Sequence, residues 1–178
     1  MVIPFDHASE LLTAPKRLFG STAWKRKENT QDRVPILFFE SRVRLESALP
    51  MGLRFRISLF PRHPDVATFQ LEMEQPPSRT CLTLYRLEWR PLSGHGNGRN
   101  GPEEIWDLIF QPGDTHEHTC LDNLSLGGER VLKKGVQAAR KIDPDFADYD
   151  YALAYVCDKL NILNPGDIPP ADAQLEMV

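Results

Sequence analysis

The sequence predicts an α+β fold: an antiparallel β-meander of five or six strands with a C-terminal helix packed on one face. Three observations carry this expectation. Apolar and charged residues alternate with a period of two through much of 37–89. The alternating segments are separated by short turn-rich stretches, ALPMG, PRHPD and QPPSR. Near the C-terminus Phe146, Tyr149, Leu153, Val156, Leu160 and Leu163 recur at spacings of three and four, the stripe of a helix that covers a sheet.

The chain has 178 residues, enough for one domain that buries roughly two-thirds of its unfolded surface. That domain is expected over 34–164, after an irregular basic arm over 1–33 with one short helix (DHASELL) and before a loosely held acidic tail over 165–178. Within the arm, Trp24 beside Lys25, Arg26 and Lys27 is a candidate patch for stacking a base and holding phosphate, with a docked tryptophan on a solvated arm as the plainer alternative.

The first strand, PILFFESRVRLES, sends Leu37, Phe39, Val43 and Leu45 one way and Glu40, Arg42, Arg44 and Glu46 the other. LRFRISLF repeats the pattern with Arg54 and Arg56 outward, and VATFQLEME with Gln70, Glu72 and Glu74 outward. TCLTLYRLEWR is the fourth strand. Register is strongly specified wherever one face is buried, because a one-residue slip reverses every side chain. Pairing Leu45 with Phe55 and Phe55 with Leu71 keeps the apolar faces together, sets Arg54 between Glu46 and Glu72, and leaves Arg44 opposite Arg56. A like-charge pair directly opposite is unfavourable. Diagonal acids or an external anionic partner must relieve it, so Arg44 and Arg56 are candidate binding residues.

SGHGNGRNG (93–101), with four glycines, is expected to be a mobile loop, and EEIWDLIF a fifth strand with Trp106, Leu108 and Phe110 on one side. The segment RVLKKGVQAARKI fits a helix or a strand, and a final strand over about 136–142 is preferred. The C-terminal helix should run from about 145 to 163, capped by Asp143 or Asp145 and stopped by NPG.

Charge is unevenly placed. Residues 1–142 hold 20 Lys and Arg against 17 Asp and Glu, whereas 143–178 hold one Lys against eight acids. The acidic end would repel nucleic acid and the remainder could tolerate it. The three cysteines, Cys81, Cys120 and Cys157, are too few and too widely spaced for a disulfide framework or a zinc ribbon. No apolar run spans a bilayer, and the start lacks the basic and apolar regions of a leader, so a cytoplasmic home is expected.

The most chemical stretch is GDTHEHTCLDN (113–123). On a strand His116, His118 and Cys120 share one face at steps of about 6.7 Å. Two imidazoles so placed can share a divalent metal, with Cys120 or Asp122 completing the shell, or can transfer protons as acid and base. The plainer alternative is a polar strand end whose imidazoles bond backbone and water. PGDTHEH resembles the first motif of the cupins, in which H-x-H and a later acid bind metal. No histidine follows His118, so His63 or His95 would have to supply the third imidazole.

As a layout over roughly 53–163, the Arg-bearing meander, the strand LTLYRLEWR, the pair THEH and the closing helix resemble the small bacterial TumE-type toxin proteins and related uncharacterised families. This chain is longer, has the additional basic arm and lacks a longer histidine cluster. The resemblance implies a toxin–antitoxin or mobile-element setting with a protein partner. The leading expectation for function is therefore a small cytosolic bacterial interaction protein, toxin-like or accessory to a defence system, binding a partner through its Arg-bearing sheet face. Two alternatives stand beside it: a metal-assisted or RNA-cleaving enzyme centred on His116 and His118, and an inhibitor that docks through its acidic helix and tail. No organic cofactor is expected.

Overall fold

The two-residue alternation becomes a sheet strand by strand. The structure, a computed structural model, describes residues 4–20, 23–28, 35–46, 50, 52–75, 80–99, 101–124, 136–143 and 145–171. A short helix, α1 (Phe5–Thr13), precedes strands β1 (Lys16–Phe19), β2 (Lys25–Glu28), β3 (Pro35–Leu45), β4 (Leu53–Phe60), β5 (His63–Gln75) and β6 (Thr80–Trp89). The hairpin of β7 (His95–Gly96) and β8 (Ile109–Phe110) follows, then β9 (His116–Thr119), α2 (Cys120–Leu124), β10 (Arg140–Lys141) and α3 (Tyr149–Lys159). The main sheet has eight strands in the order β1-β3-β4-β5-β6-β9-β10, with β2 also on β3, and every strand pair in it is antiparallel. The fold is α+β as expected, with more strands than five or six.

Faces are assigned as the alternation requires. On β3 and β4 every second side chain is buried, among them Phe39, Val43, Phe55 and Ile57. Helix α3 closes this side: Ala152, Val156 and Cys157 join the core, and the Tyr149 ring stacks on Phe69 at 5.6 Å. Arg54 and Arg56 lie on the opposite, open face, paired with Glu72. No helix among the described residues is long and apolar enough to cross a membrane.

Several expectations are corrected. The arm is not wholly irregular, because β1 and β2 hydrogen-bond side by side to the same edge of β3. β1 takes the end of β3, with Lys16 opposite Leu45, and the first hairpin differs from expectation: β3 meets β4 with Ser41 opposite Phe55 and Arg42 opposite Arg54, four residues from the anticipated register. The second hairpin keeps Phe55 opposite Leu71 and Arg54 opposite Glu72, as expected. A register shift beside Leu71 buries both Leu84 and Tyr85 on β6. Beyond it Arg86 and Glu88 face the open side.

EEIWDLIF is not one strand. Residues Glu103–Ile105 form a 3-10 turn, Asp107 takes φ of 56°, and only Ile109–Phe110 pairs as a strand. Helix α3 starts four residues later than anticipated, because Asp148 is the cap, accepting from the Tyr151 N–H at 3.0 Å. Asp145 is occupied elsewhere, by Arg90 and Thr115. Residues 125–135, which include much of the ambiguous RVLKKGVQAARKI segment, lie outside the described residues, and the expected strand over 136–142 is limited to β10. The expected tail divides: 172–178 lie outside the described residues, whereas Ile168 and Ala171 are buried in the core.

Candidate metal centre

Strand β9 presents His116 and His118 to the open face because they are two residues apart. Glu117, between them, points the other way and is buried under α3. There it accepts from Tyr85 Oη at 2.9 Å, Tyr155 Oη at 3.1 Å and Lys159 Nζ at 3.1 Å. These bonds anchor the strand from behind. On β6, directly beside it, Glu88 lies opposite His116 and Arg86 opposite His118. The β7–β8 hairpin brings His95 over the same spot. It closes tightly, since a Cβ on Gly94 would sit 2.2 Å from the Phe110 carbonyl oxygen. Asn97 secures it, donating to the Ile105 and Ala139 carbonyls and accepting from the Ala139 N–H.

The outcome is a cluster of Glu88, His95, His116 and His118 whose ligand-type atoms all lie within 4.8 Å of one another. His116 Nε2 is 2.8 Å from Glu88 Oε2 and 3.0 Å from His95 Nε2. His118 Nε2 is 3.9 Å from the same carboxylate oxygen. Both β9 imidazoles are buried, and each uses Nδ1 on a backbone carbonyl: His116 on Asp114 at 2.7 Å, His118 on Ala138 at 3.1 Å. A ring that donates through Nδ1 turns the lone pair of Nε2 inward when neutral, the orientation that backbone carbonyls impose on ligating histidines. For His116 that lone pair faces a carboxylate oxygen. A second proton or a cation must stand between them.

The donor set of three imidazoles and one carboxylate suits a first-row divalent ion. Bonds of about 2.0–2.2 Å to one ion place ligand atoms up to roughly 4.4 Å apart, so a small closure satisfies it. Arg86 competes for the space: its guanidinium donates to His118 Nε2 at 3.1 Å and lies 3.3 Å from Glu88 Oε1. It has to release His118 for an ion to bind, and is then free to meet a negative group on a substrate.

Electrostatics disfavour the protonated forms of His118, His95 and Glu88. Burial lowers the His118 imidazole to about 4, with Glu88 opposing and Arg86 reinforcing the shift. Burial and the neighbouring His116 likewise lower His95. Burial alone would raise the Glu88 carboxyl, but the hydrogen bond from His116, the nearby His118 imidazole and the Arg86 charge hold it well below the usual carboxylate range. A stability prediction follows for chelated protein. Unfolded histidine titrates near about 6.5, so between that value and about 4 the unfolded chain binds the proton that folded His118 refuses. Stability should fall by on the order of 3 kcal/mol as pH drops through this window, and the depressed Glu88 adds a loss in the same direction only below its unfolded value of about 4.3. Urea unfolding at pH 7.5 and 4.5 measures it, and His118→Asn should flatten the slope.

The other anticipated site residues are placed elsewhere. Cys120 opens α2 inside the core, its thiol pushed up to about 12 by burial. Asp122 forms a forked pair with Arg140 at 2.8 and 3.0 Å. Neither belongs to the cluster, because the chain turns from strand into helix at Cys120 and carries both away. His63 is exposed at the start of β5 and takes no part. His95 is therefore the third imidazole. Trp24 is a core residue that packs on Phe39 and donates to the Pro169 carbonyl, so it cannot stack a base, while Lys25, Arg26 and Lys27 remain exposed on β2. Arg56 has Gln70 and Glu72 as partners; Arg44 lies opposite Arg17 instead. Glu88 and Arg86 were not anticipated. Their signal was the parity of LYRLEW, which sets both on the face the histidines use. Comparison with protein-family models, curated proteins and solved structures gave no match.

Proposed function

We propose that this protein is a metal-dependent hydrolase for an anionic ester, its centre formed by His95, His116, His118 and Glu88. The observation that carries the proposal is the convergence of four ligand-type atoms within 4.8 Å, two of the imidazoles oriented by backbone carbonyls. A divalent cation held there would supply Lewis-acid activation of water and of a phosphoryl or carbonyl group. The chain's own residues do the rest. Glu88 and the three imidazoles would hold the ion in a partly dry site, and Arg86, 3.1 Å from His118, would bind a substrate oxyanion. Hydrolysis forms a bond from water oxygen to the electrophilic atom, breaks the bond to the leaving oxygen, and ends with a water proton on that oxygen.

A toxin-like or accessory role in a bacterial defence or mobile-element system, with a protein partner, is proposed as the setting, since the H-x-H pair of that layout is what the centre uses. Elemental analysis of protein purified without chelators tests the chemistry. About one zinc, manganese or iron per chain is expected, and its removal should lower Tm by roughly 10 °C, the effect of an ion present at about a thousand times its Kd on a chain of this size. Protein that neither carries nor takes up such an ion would overturn the proposal.

A further inference from the structure

The open face of the sheet continues from the metal centre as a line of arginines. Cross-strand partners share a face, and one row runs Glu40, Arg56, Gln70, Arg86, His118 across β3, β4, β5, β6 and β9. A neighbouring row sets Arg42 opposite Arg54, and at the far edge Arg17 stands opposite Arg44. Acids compensate the middle of this surface: Arg54 has Glu40 and Glu72, Arg56 has Glu72, and Arg86 has Glu88. At the far edge Glu46 is close by, but among the described residues it forms no ion pair with the arginines. Among the described residues none forms an ion pair with Arg17, Arg42 or Arg44, all three exposed. Arg17 and Arg44 line a cleft of about 400 Å³ with Leu45 and Glu46. Like charges directly opposite each other destabilise a sheet unless an anion joins them. Phe19, opposite Arg42, and Phe38 are half-buried on this face and offer ring surface beside the guanidinium groups.

We infer that this face binds a single-stranded nucleic acid, one phosphate anchored by Arg17 and Arg44 and the strand running over Arg54 and Arg56 to the metal centre. In assigning the strand as substrate, the inference rests on the hydrolase proposal; the surface itself does not. Five strand-to-strand steps of about 4.8 Å separate β1 from β9, so roughly 24 Å of ligand is engaged, the reach of several nucleotides. Guanidinium forks suit phosphate oxygens, and phenyl faces suit bases. An extended polyanion is the occupant that meets all of these groups at once.

Fluorescence anisotropy with labelled twelve-residue oligo(U) and oligo(dT) tests the inference. Arg17→Glu with Arg44→Glu should weaken binding at least tenfold and reduce the slope of log K against log salt by about two. Arg17→Lys with Arg44→Lys should retain most of the affinity, and the metal content of all these proteins should match wild type. Oligonucleotide binding unchanged by the charge reversal would overturn the inference. So would displacement of the oligonucleotide by poly-glutamate of equal charge at equal concentration, which would assign the face to an acidic protein. A metal-free wild type that still binds oligonucleotides through Arg17 and Arg44 would sink the hydrolase proposal and leave the binding surface standing.

Discussion

Replacing His116 and His118 together by alanine is expected to abolish stoichiometric metal and to lower hydrolysis of a bound substrate by about a thousandfold or more. Losing the Lewis acid forfeits several kcal/mol of transition-state stabilisation, and each 1.36 kcal/mol is a factor of ten in rate. The double variant also removes two buried rings and leaves the Asp114 and Ala138 carbonyls without their donors. Its folding must therefore be checked by circular dichroism. His95→Ala serves as the companion, because His95 sits partly exposed on the β7–β8 hairpin and its loss leaves the sheet intact. It should bind the ion more weakly and lose activity in step, whereas Cys120→Ser and His63→Ala should retain metal. Retained metal in both His116→Ala/His118→Ala and His95→Ala would refute the assigned ligand set.

Lys16→Met is expected to destabilise the fold by about 3–5 kcal/mol, a Tm fall of roughly 10–15 °C for a chain of this size. Lys16 is fully buried on β1, and its ammonium donates to the carbonyls of Leu12 at 2.8 Å, Ala14 at 2.7 Å and Leu160 at 2.8 Å. Burial lowers the group to about 8, so it is charged at neutral pH and all three of its protons are used. Those carbonyls lie at the ends of α1 and α3, where helices leave acceptors unsatisfied. One side chain thus ties both helices to the edge strand. Methionine fills the same volume but strands three acceptors away from water. Urea unfolding measures the cost; a change below about 1 kcal/mol would show that water replaces the ammonium.

The side-chain alternation was legible in the sequence because it is local: period two decides which residues share a face before any partner strand is known. From it came the core side of β3, β4 and β5, the outward Arg54 and Arg56, and the common face of His116 and His118, as the covering helix came from spacings of three and four. Only the tertiary structure decided which residues meet there. Glu88 and His95 lie 28 and 21 positions before His116 and reach it through a strand pairing and a hairpin closure. Such encounters depend on non-local hydrogen bonds and on the register shift beside Leu71. A periodic pattern fixes faces and does not distinguish registers that differ by an even number of residues, such as the four by which the first hairpin departs from expectation, since all bury the same apolar face. The sequence alone therefore determined a two-faced sheet with a histidine pair on its polar side, and the pairing of its strands turned that pair into a cluster of three histidines and a glutamate.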